Sequence, residues 1–293
     1  MAETRSPTPA RTAGQVTTRG WAGLVVEIGL PRRTDESAAG RHRFTAEEDP
    51  DHWLGSTDLL DLADTKLRLR ARSLTQLCKT EREKAITVYG FVKRIPYTWR
   101  FRLRLRSPRE VLEAGAGDAL DKAGLLVALL RIVDIPVRIR YMELPGVMLR
   151  GLLSRTRPSA RPVVEIWLNG KWLATDTYIF DAAYMAAARH RLREQDWECG
   201  YGIHRDGASI WNGLDNAFLV GEALAGEHLA SRSDGLFEDP AGFVASPAFS
   251  ATHPRLIRTI RWNLMVPSIS RAIHGLRQEA VSGSPSSTRR RVS

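Results

Sequence analysis

The sequence predicts an α+β domain: one long apolar helix packed on an antiparallel β-sheet, with further helices at the C-terminal end. Three observations carry this. Residues Asp118–Val133 are almost continuously apolar, with Leu125, Leu126, Leu129, Leu130 and Val133 on one side, as a buried central helix requires. Val163–Leu168 and Lys171–Asp176 are two β-rich runs around Asn169-Gly170, the dipeptide suited to a tight hairpin because both turn positions need positive φ. Helical patterns then return over 254–265 and 268–280, separated by Pro267.

The remaining elements follow in chain order. Residues 1–18 are rich in Thr, Pro, Arg and Gly and 31–50 are polar and charged, so 1–50 predicts a largely disordered extension, relieved by a short strand over 20–30 (Leu24, Val25, Val26, Ile28). The patterned domain begins near residue 51 and runs to 280. Leu67, Leu69, Leu74 and Leu77 form a rough helical stripe within 64–77. Thr80-Glu81-Arg82-Glu83 reads as a capping box opening a helix that carries Ile86, Tyr89 and Val92 and stops before Pro96. Trp99–Arg106 alternates apolar residues with arginine, a period of two that predicts a strand with an arginine face. Val137–Glu143 reads as a strand and 181–195 as a helix. Residues 197–250, rich in Gly and aromatics, give no clear period. The end, 281–293, predicts a disordered tail with a basic tip at Arg289–Arg291.

Composition narrows the partners. The net charge is +10 and the pI about 10.1, which favours acidic partners: nucleic acid, an anionic membrane, or an acidic protein or ligand. Two distant cysteines, Cys78 and Cys199, form no disulfide framework and suit a reducing compartment. The N-terminal residues lack the basic-then-apolar order of a signal peptide. Ala22–Leu30 contains Glu27 and is too short to span a bilayer. A cytoplasmic protein without a membrane span is the expectation. The histidines (His42, His52, His190, His204, His228, His253, His274) show no metal-ligand spacing, so neither metal nor cofactor is expected.

One order of motifs adds a family. Gly117-Asp118-Ala119 opens the apolar helix, Arg161-Pro-Val-Val-Glu165-Ile lies on a strand, and Trp172-Leu-Ala-Thr-Asp176 ends the hairpin. This order resembles the core of the transglutaminase-like family, of papain-like fold, in which G-x-C, H-x-W/V-x-E-V and W-x-x-x-D supply a catalytic Cys, His and Asp. Flanking stretches agree: Lys122–Leu126, Leu129–Arg138, Cys199–Gly202, Gly235–Phe243 and Arg261–Asn263 also resemble these proteins, and the likeness covers roughly 55–280. In the family a thiolate at a helix N-terminus attacks an acyl carbon, histidine moves the proton, and aspartate orients the histidine.

Carried over by position, the resemblance puts Ala119 at the nucleophile, Arg161 at the base and Asp176 at the orienting acid. A methyl group cannot attack, and an arginine stays protonated and cannot accept a proton. The resemblance therefore implies a degenerate triad and a protein that has lost cysteine catalysis. Such a protein would act by binding a peptide, a protein or a small acidic ligand in the old cleft, where Asp118, Glu165, Trp172 and Cys199 are further candidates. Hairpin register makes Arg161 a diagonal neighbour of Asp176, within reach of an ion pair. Glu165 alternates onto the same face and could neutralise Arg161.

Other readings compete. Asp118 and Asp121 resemble an acid/base pair, but acidic residues in a first helical turn ordinarily serve the helix dipole. A relocated nucleophile such as Cys199, with His204 close in sequence, would allow an active amide hydrolase or acyltransferase. Arg100, Arg102, Arg104 and Arg106 with Trp99 and Phe101, and the row Lys66, Arg68, Arg70 and Arg72, allow a nucleic-acid adaptor. A solvated or acid-paired face is the plainer account of the same arginines.

Overall fold

The computed structural model describes residues 49–153, 159–222, 225, 226, 235–246 and 255–282. The expected strand over 20–30 and nearly all of both terminal tails lie outside them.

Helices come first along the chain. Helix α1 (Thr65–Thr75) is capped by Asp64, whose carboxylate accepts from Leu67 N. Helix α2 (Glu81–Arg94) starts where its capping residues predict: Thr80 Oγ1 accepts from Glu83 N at 3.1 Å. The return bond differs by one residue, because the Glu83 carboxylate takes the Lys79 amide at 2.6 Å. Helix α3 (Pro108–Ala114) has a full capping box between Ser107 and Glu110. Helix α4 (Ala119–Ile132) is the central helix: Asp121 through Arg131 are all buried, and Leu125, Leu126, Leu129 and Leu130 are wholly so. A helix apolar on every side needs neighbours on every side. Here α1, α2 and α3 pack around it, and the sheet supplies the rest.

The main sheet is three-stranded and antiparallel, in the order β1 (Val137–Leu144), β2 (Ser159–Leu168), β3 (Lys171–Thr175). Leu168 pairs with Lys171, so Asn169 and Gly170 are the whole turn, at φ 52° and 77°. Alternation divides the sheet. Val137, Ile139, Val164 and Ile166 join the α4 core, whereas Met142, Val163 and Ala174 join a smaller cluster with Phe218 and Val220 on the other face. Beyond the sheet come α5 (Ala182–Glu194), a small hairpin of β4 (Cys199–Gly200) and β5 (Ile203–His204), α6 (Pro240–Ala245) and α7 (Arg255–Ser282).

Two expectations are corrected. Trp99–Arg106 is an extended strap without strand pairing. Arg102 and Arg106 turn inward to carboxylates at the head of α4, while Phe101 and Leu103 face outward, 71% and 90% exposed. Helix α7 continues through Pro267 without the expected break. A proline inside a helix costs about 3 kcal/mol. Contacts on both sides offset it: Asn263 bonds both backbone groups of Arg102, Ser270 donates to Trp99 O, and Ile269 and Ile273 are buried.

Candidate functional site

The head of α4 is built by backbone geometry and carboxylates. Gly117 has to lack a side chain, since a Cβ there would stand 2.9 Å from Asp121 Cβ. Asp118 is the N-cap: its Oδ1 accepts from Leu120 N at 2.9 Å and Asp121 N at 3.2 Å, and Asp121 Oδ2 accepts from Asp118 N at 3.1 Å. Ala119 follows as the first helical residue, half-buried. The Arg102 guanidinium bonds the Asp118 carboxylate, and Arg106 bonds Asp121. The positive end of the helix, which would otherwise attract an anion, is thus occupied by two carboxylates that are themselves neutralised by the strap. These acids cap and pin; the structure gives them no free proton-transfer geometry.

Arg161 and Asp176 meet at the start of β2 and just past β3. One step beyond the pair Val164–Thr175 sets Val163 opposite Asp176, with Arg161 two residues away on the same face. Arg161 Nη1 lies 3.0 Å from Asp176 Oδ2, and Nη2 donates to the Gly202 carbonyl. Asp176 Oδ1 accepts from Leu219 N at 2.7 Å. Both side chains are out of water, at 5% and 0% exposure. Burial pushes the Asp176 carboxyl above the ordinary range, while Arg161 and the Leu219 amide act in the opposite sense. Gly202 sits at φ 82°, where a Cβ would come 2.7 Å from Phe180 Cζ and 3.1 Å from Arg161 Nη2. Arginine has only donors, and each Asp176 oxygen is already engaged, one by Arg161 and the other by the Leu219 amide.

The other candidates fall into separate places. Glu165 does not neutralise Arg161. It bonds Arg138 Nε at 2.6 Å and Arg140 Nε at 2.9 Å, because the strand register sets Arg138 directly opposite it. Trp172 pairs with Trp167 across the hairpin, and its ring stacks under the Arg138 guanidinium at 4.0 Å. Cys199 stands directly across β4–β5 from His204. Burial is the largest influence on its thiol and raises its pKa, with Arg150 opposing. A reactive cysteine needs the reverse. Among the described residues no group of three or more His, Cys, Asp or Glu could hold a metal ion, and no helix is long and apolar enough to cross a membrane.

The arginine row is largely consumed within the fold. Besides Arg102 and Arg106, Arg104 bonds Glu110 and Lys66 bonds Glu113. Two partners of the Arg161 pair escaped sequence reasoning: the Gly202 carbonyl and the Leu219 amide. For Gly202 a signal existed in the run Cys199-Gly-Tyr-Gly202. For Leu219 there was none, because a backbone amide leaves no trace in residue type.

Comparison with known proteins defines the class. Residues 68–177 match the model of the transglutaminase-like superfamily. This segment, from α1 to just past Asp176, is a transglutaminase-like domain of mixed helix and antiparallel sheet. Among solved structures, a candidate cysteine protease from Cytophaga hutchinsonii is similar at 19% identity and TM-score 0.35, over 44% of this chain and 40% of that one. A candidate protease from Parabacteroides distasonis is similar at 19% identity and TM-score 0.31, over 43% and 26%. The chain thus spans less than half the length of either. No curated protein sequence matches it.

Proposed function

We propose that this transglutaminase-like domain has lost cysteine-based acyl chemistry and acts by binding a peptide, a protein or a small acidic ligand. The observation that supports this reading is the buried Arg161–Asp176 ion pair. By the motif resemblance Arg161 falls at the family's histidine position and Ala119, the first residue of α4, at its cysteine position. A guanidinium held on a carboxylate and a backbone carbonyl is a structural cross-link, with no capacity to relay a proton.

The test pairs a thiol-directed activity probe with turnover of glutaminyl and peptide amides. The full chain is expected to give no turnover, and no probe labelling beyond that of an ordinary exposed thiol. Measurable amide turnover abolished by Cys199→Ser would overturn the proposal. The double variant Ala119→Cys with Arg161→His then asks whether the frame still supports chemistry.

A second reading rests on the cross-strand register of Cys199 and His204, which puts the two residues opposite each other in the β4–β5 hairpin. The raised thiol pKa weighs against it. The same Cys199→Ser comparison decides it.

A further inference from the structure

The two halves of α7, before and after Pro267, hold the molecule by different means. After Pro267 the helix carries three buried aliphatic side chains, Ile269, Ile273 and Leu276. This half also fixes the start of the strap. Ser270 donates to Trp99 O at 2.8 Å, and Arg277 Nη2 donates to Tyr97 O at 3.1 Å and bonds Asp181. Before Pro267, Val266 is the one buried side chain among those described, and Ile260 and Leu264 are exposed. This half holds residues 100–102 by polar and aromatic contacts instead. Asn263 grips the Arg102 backbone from both sides, donating to its carbonyl at 3.0 Å and accepting from its amide at 2.8 Å. Trp262 Nε1 donates to Arg100 O at 3.1 Å, and its ring stacks on Trp99 at 3.8 Å. The same ring has the Arg102 guanidinium over it, 4.6 Å from its centre. That guanidinium bonds Asp118 and lies 3.8 Å from Asp121 Oδ1, so Trp262, Arg102 and the head of α4 form one continuous chain of contacts.

We propose that the half of α7 before Pro267 is a latch: it swings away about Pro267, lets go of residues 100–106 and uncovers the head of α4. Two features put the hinge at this residue. Proline has no N–H, so the Asn263 carbonyl lacks the helical bond that residue 267 would otherwise donate. The weakened turn is the one that carries the Asn263 clasp. The kind of anchoring changes there too. Aliphatic burial lies after Pro267, whereas the earlier half rests mainly on hydrogen bonds and ring contacts, each of small net value once water can replace it. Opening therefore leaves residues 97–99 held by Ser270 and Arg277. It withdraws the arginines that cover the Asp118 and Asp121 carboxylates, both 4% exposed in the closed form. The use of the latch, which is access to the end of the old cleft beside Ala119, rests on the binding reading above. The motion is measured with no ligand present, so the two fail separately.

The experiment is hydrogen–deuterium exchange of the full chain, read by mass spectrometry, for the parent, Asn263→Ala and Pro267→Ala. Asn263→Ala removes both clasp bonds. It is expected to speed exchange about tenfold in peptides covering 100–106 and, in parallel, in those covering 117–121, whose amides Asp118 and Asp121 hold. Peptides from 268–280 and from the hairpin 163–176 should keep the parent's rates. Pro267→Ala restores the missing N–H and should slow 100–106 and 117–121 severalfold, the opposite direction. Three results would overturn the proposal. Unchanged exchange over 100–106 in Asn263→Ala would mean that the clasp holds nothing. An equal rise over 268–280 would mean that α7 leaves as one body. A rise over 100–106 with 117–121 still protected would mean that the strap moves without uncovering the helix. Should the hairpin also exchange faster in Asn263→Ala, the variant has lost global stability and Pro267→Ala decides: slower exchange at both sites supports the latch, and unchanged exchange overturns it.

Discussion

Arg161 Nη1 and Asp176 Oδ2 are 3.0 Å apart in a place almost without water, and each partner has a second bond that fixes its orientation. Two charges held this way depend on each other far more than either stabilises the fold. Removing one partner strands the other. Arg161→Met or Asp176→Leu alone is expected to cost about 3–5 kcal/mol. The double variant should recover a large part of that loss, since both charges leave together. Urea unfolding of the four proteins gives the cycle. Additive losses would mean that the two residues are not coupled.

Gly202 is the third member of this arrangement. Its positive φ and the closeness of Phe180 and Arg161 leave no place for a methyl group. Gly202→Ala is expected to destabilise by about 3 kcal/mol, from left-handed strain together with overpacking. Gly170→Ala is the control. Its φ is also positive, yet no atom lies within 4 Å of the added Cβ, so it should cost only the strain. Thermal unfolding of both separates the two contributions.

The elements that were legible in the sequence are those specified by neighbours in the chain. Asp118 and Thr80 mark helix starts because a cap needs an oxygen at that position, and Asn169-Gly170 marks a hairpin because its turn needs positive φ. The Arg161–Asp176 contact could be read because hairpin register turns sequence spacing into distance. The strap could not. Its alternation is genuine, but Asp118 and Asp121, brought near by folding, draw Arg102 and Arg106 inward and leave Phe101 and Leu103 in solvent. Pro267 misled for a similar reason: a local cost was outweighed by contacts from distant residues. Glu165 was assigned to Arg161 by alternation along one strand, whereas its partners come from the neighbouring strand β1.

Asp118 performs two tasks that can be separated. Its carboxylate caps α4 through two amides and holds Arg102 of the strap. Asp118→Asn keeps an accepting oxygen for the cap and discards the charge. Asp118→Ala discards both. The alanine variant is expected to be less stable than the asparagine variant by about 1 kcal/mol, the ordinary value of a cap. Proteolysis of the strap should accelerate in both, because both release Arg102. Limited digestion followed by mass spectrometry of the fragments ending within 99–106 reads the second effect directly.

Lys93 gives the fold a pH dependence of predictable sign. Its Nζ donates to Thr177 O at 2.7 Å and Phe180 O at 3.0 Å, in surroundings whose burial lowers its pKa from 10.5 to about 8, with Asp181 and Asp176 opposing. Between these two values the unfolded chain holds the proton and the folded chain has released it. Stability carried by this group therefore rises as pH climbs from about 8 to 10.5. Lys122, wholly buried against the carbonyls of Lys93, Ile95 and Ile179, is also shifted down by burial and acts in the same direction. The buried hydroxyls of Tyr97, Tyr141, Tyr178 and Tyr184 are pushed up from 10.0 and act oppositely at the alkaline end, so the raw profile mixes the two. The comparison that isolates Lys93 is the difference in unfolding free energy between the parent chain and Lys93→Met, followed by urea titration across the window. That difference should move in favour of the parent chain as pH rises. A difference that stays flat would show that the lysine keeps its proton throughout, held by the two carbonyls more strongly than burial opposes it.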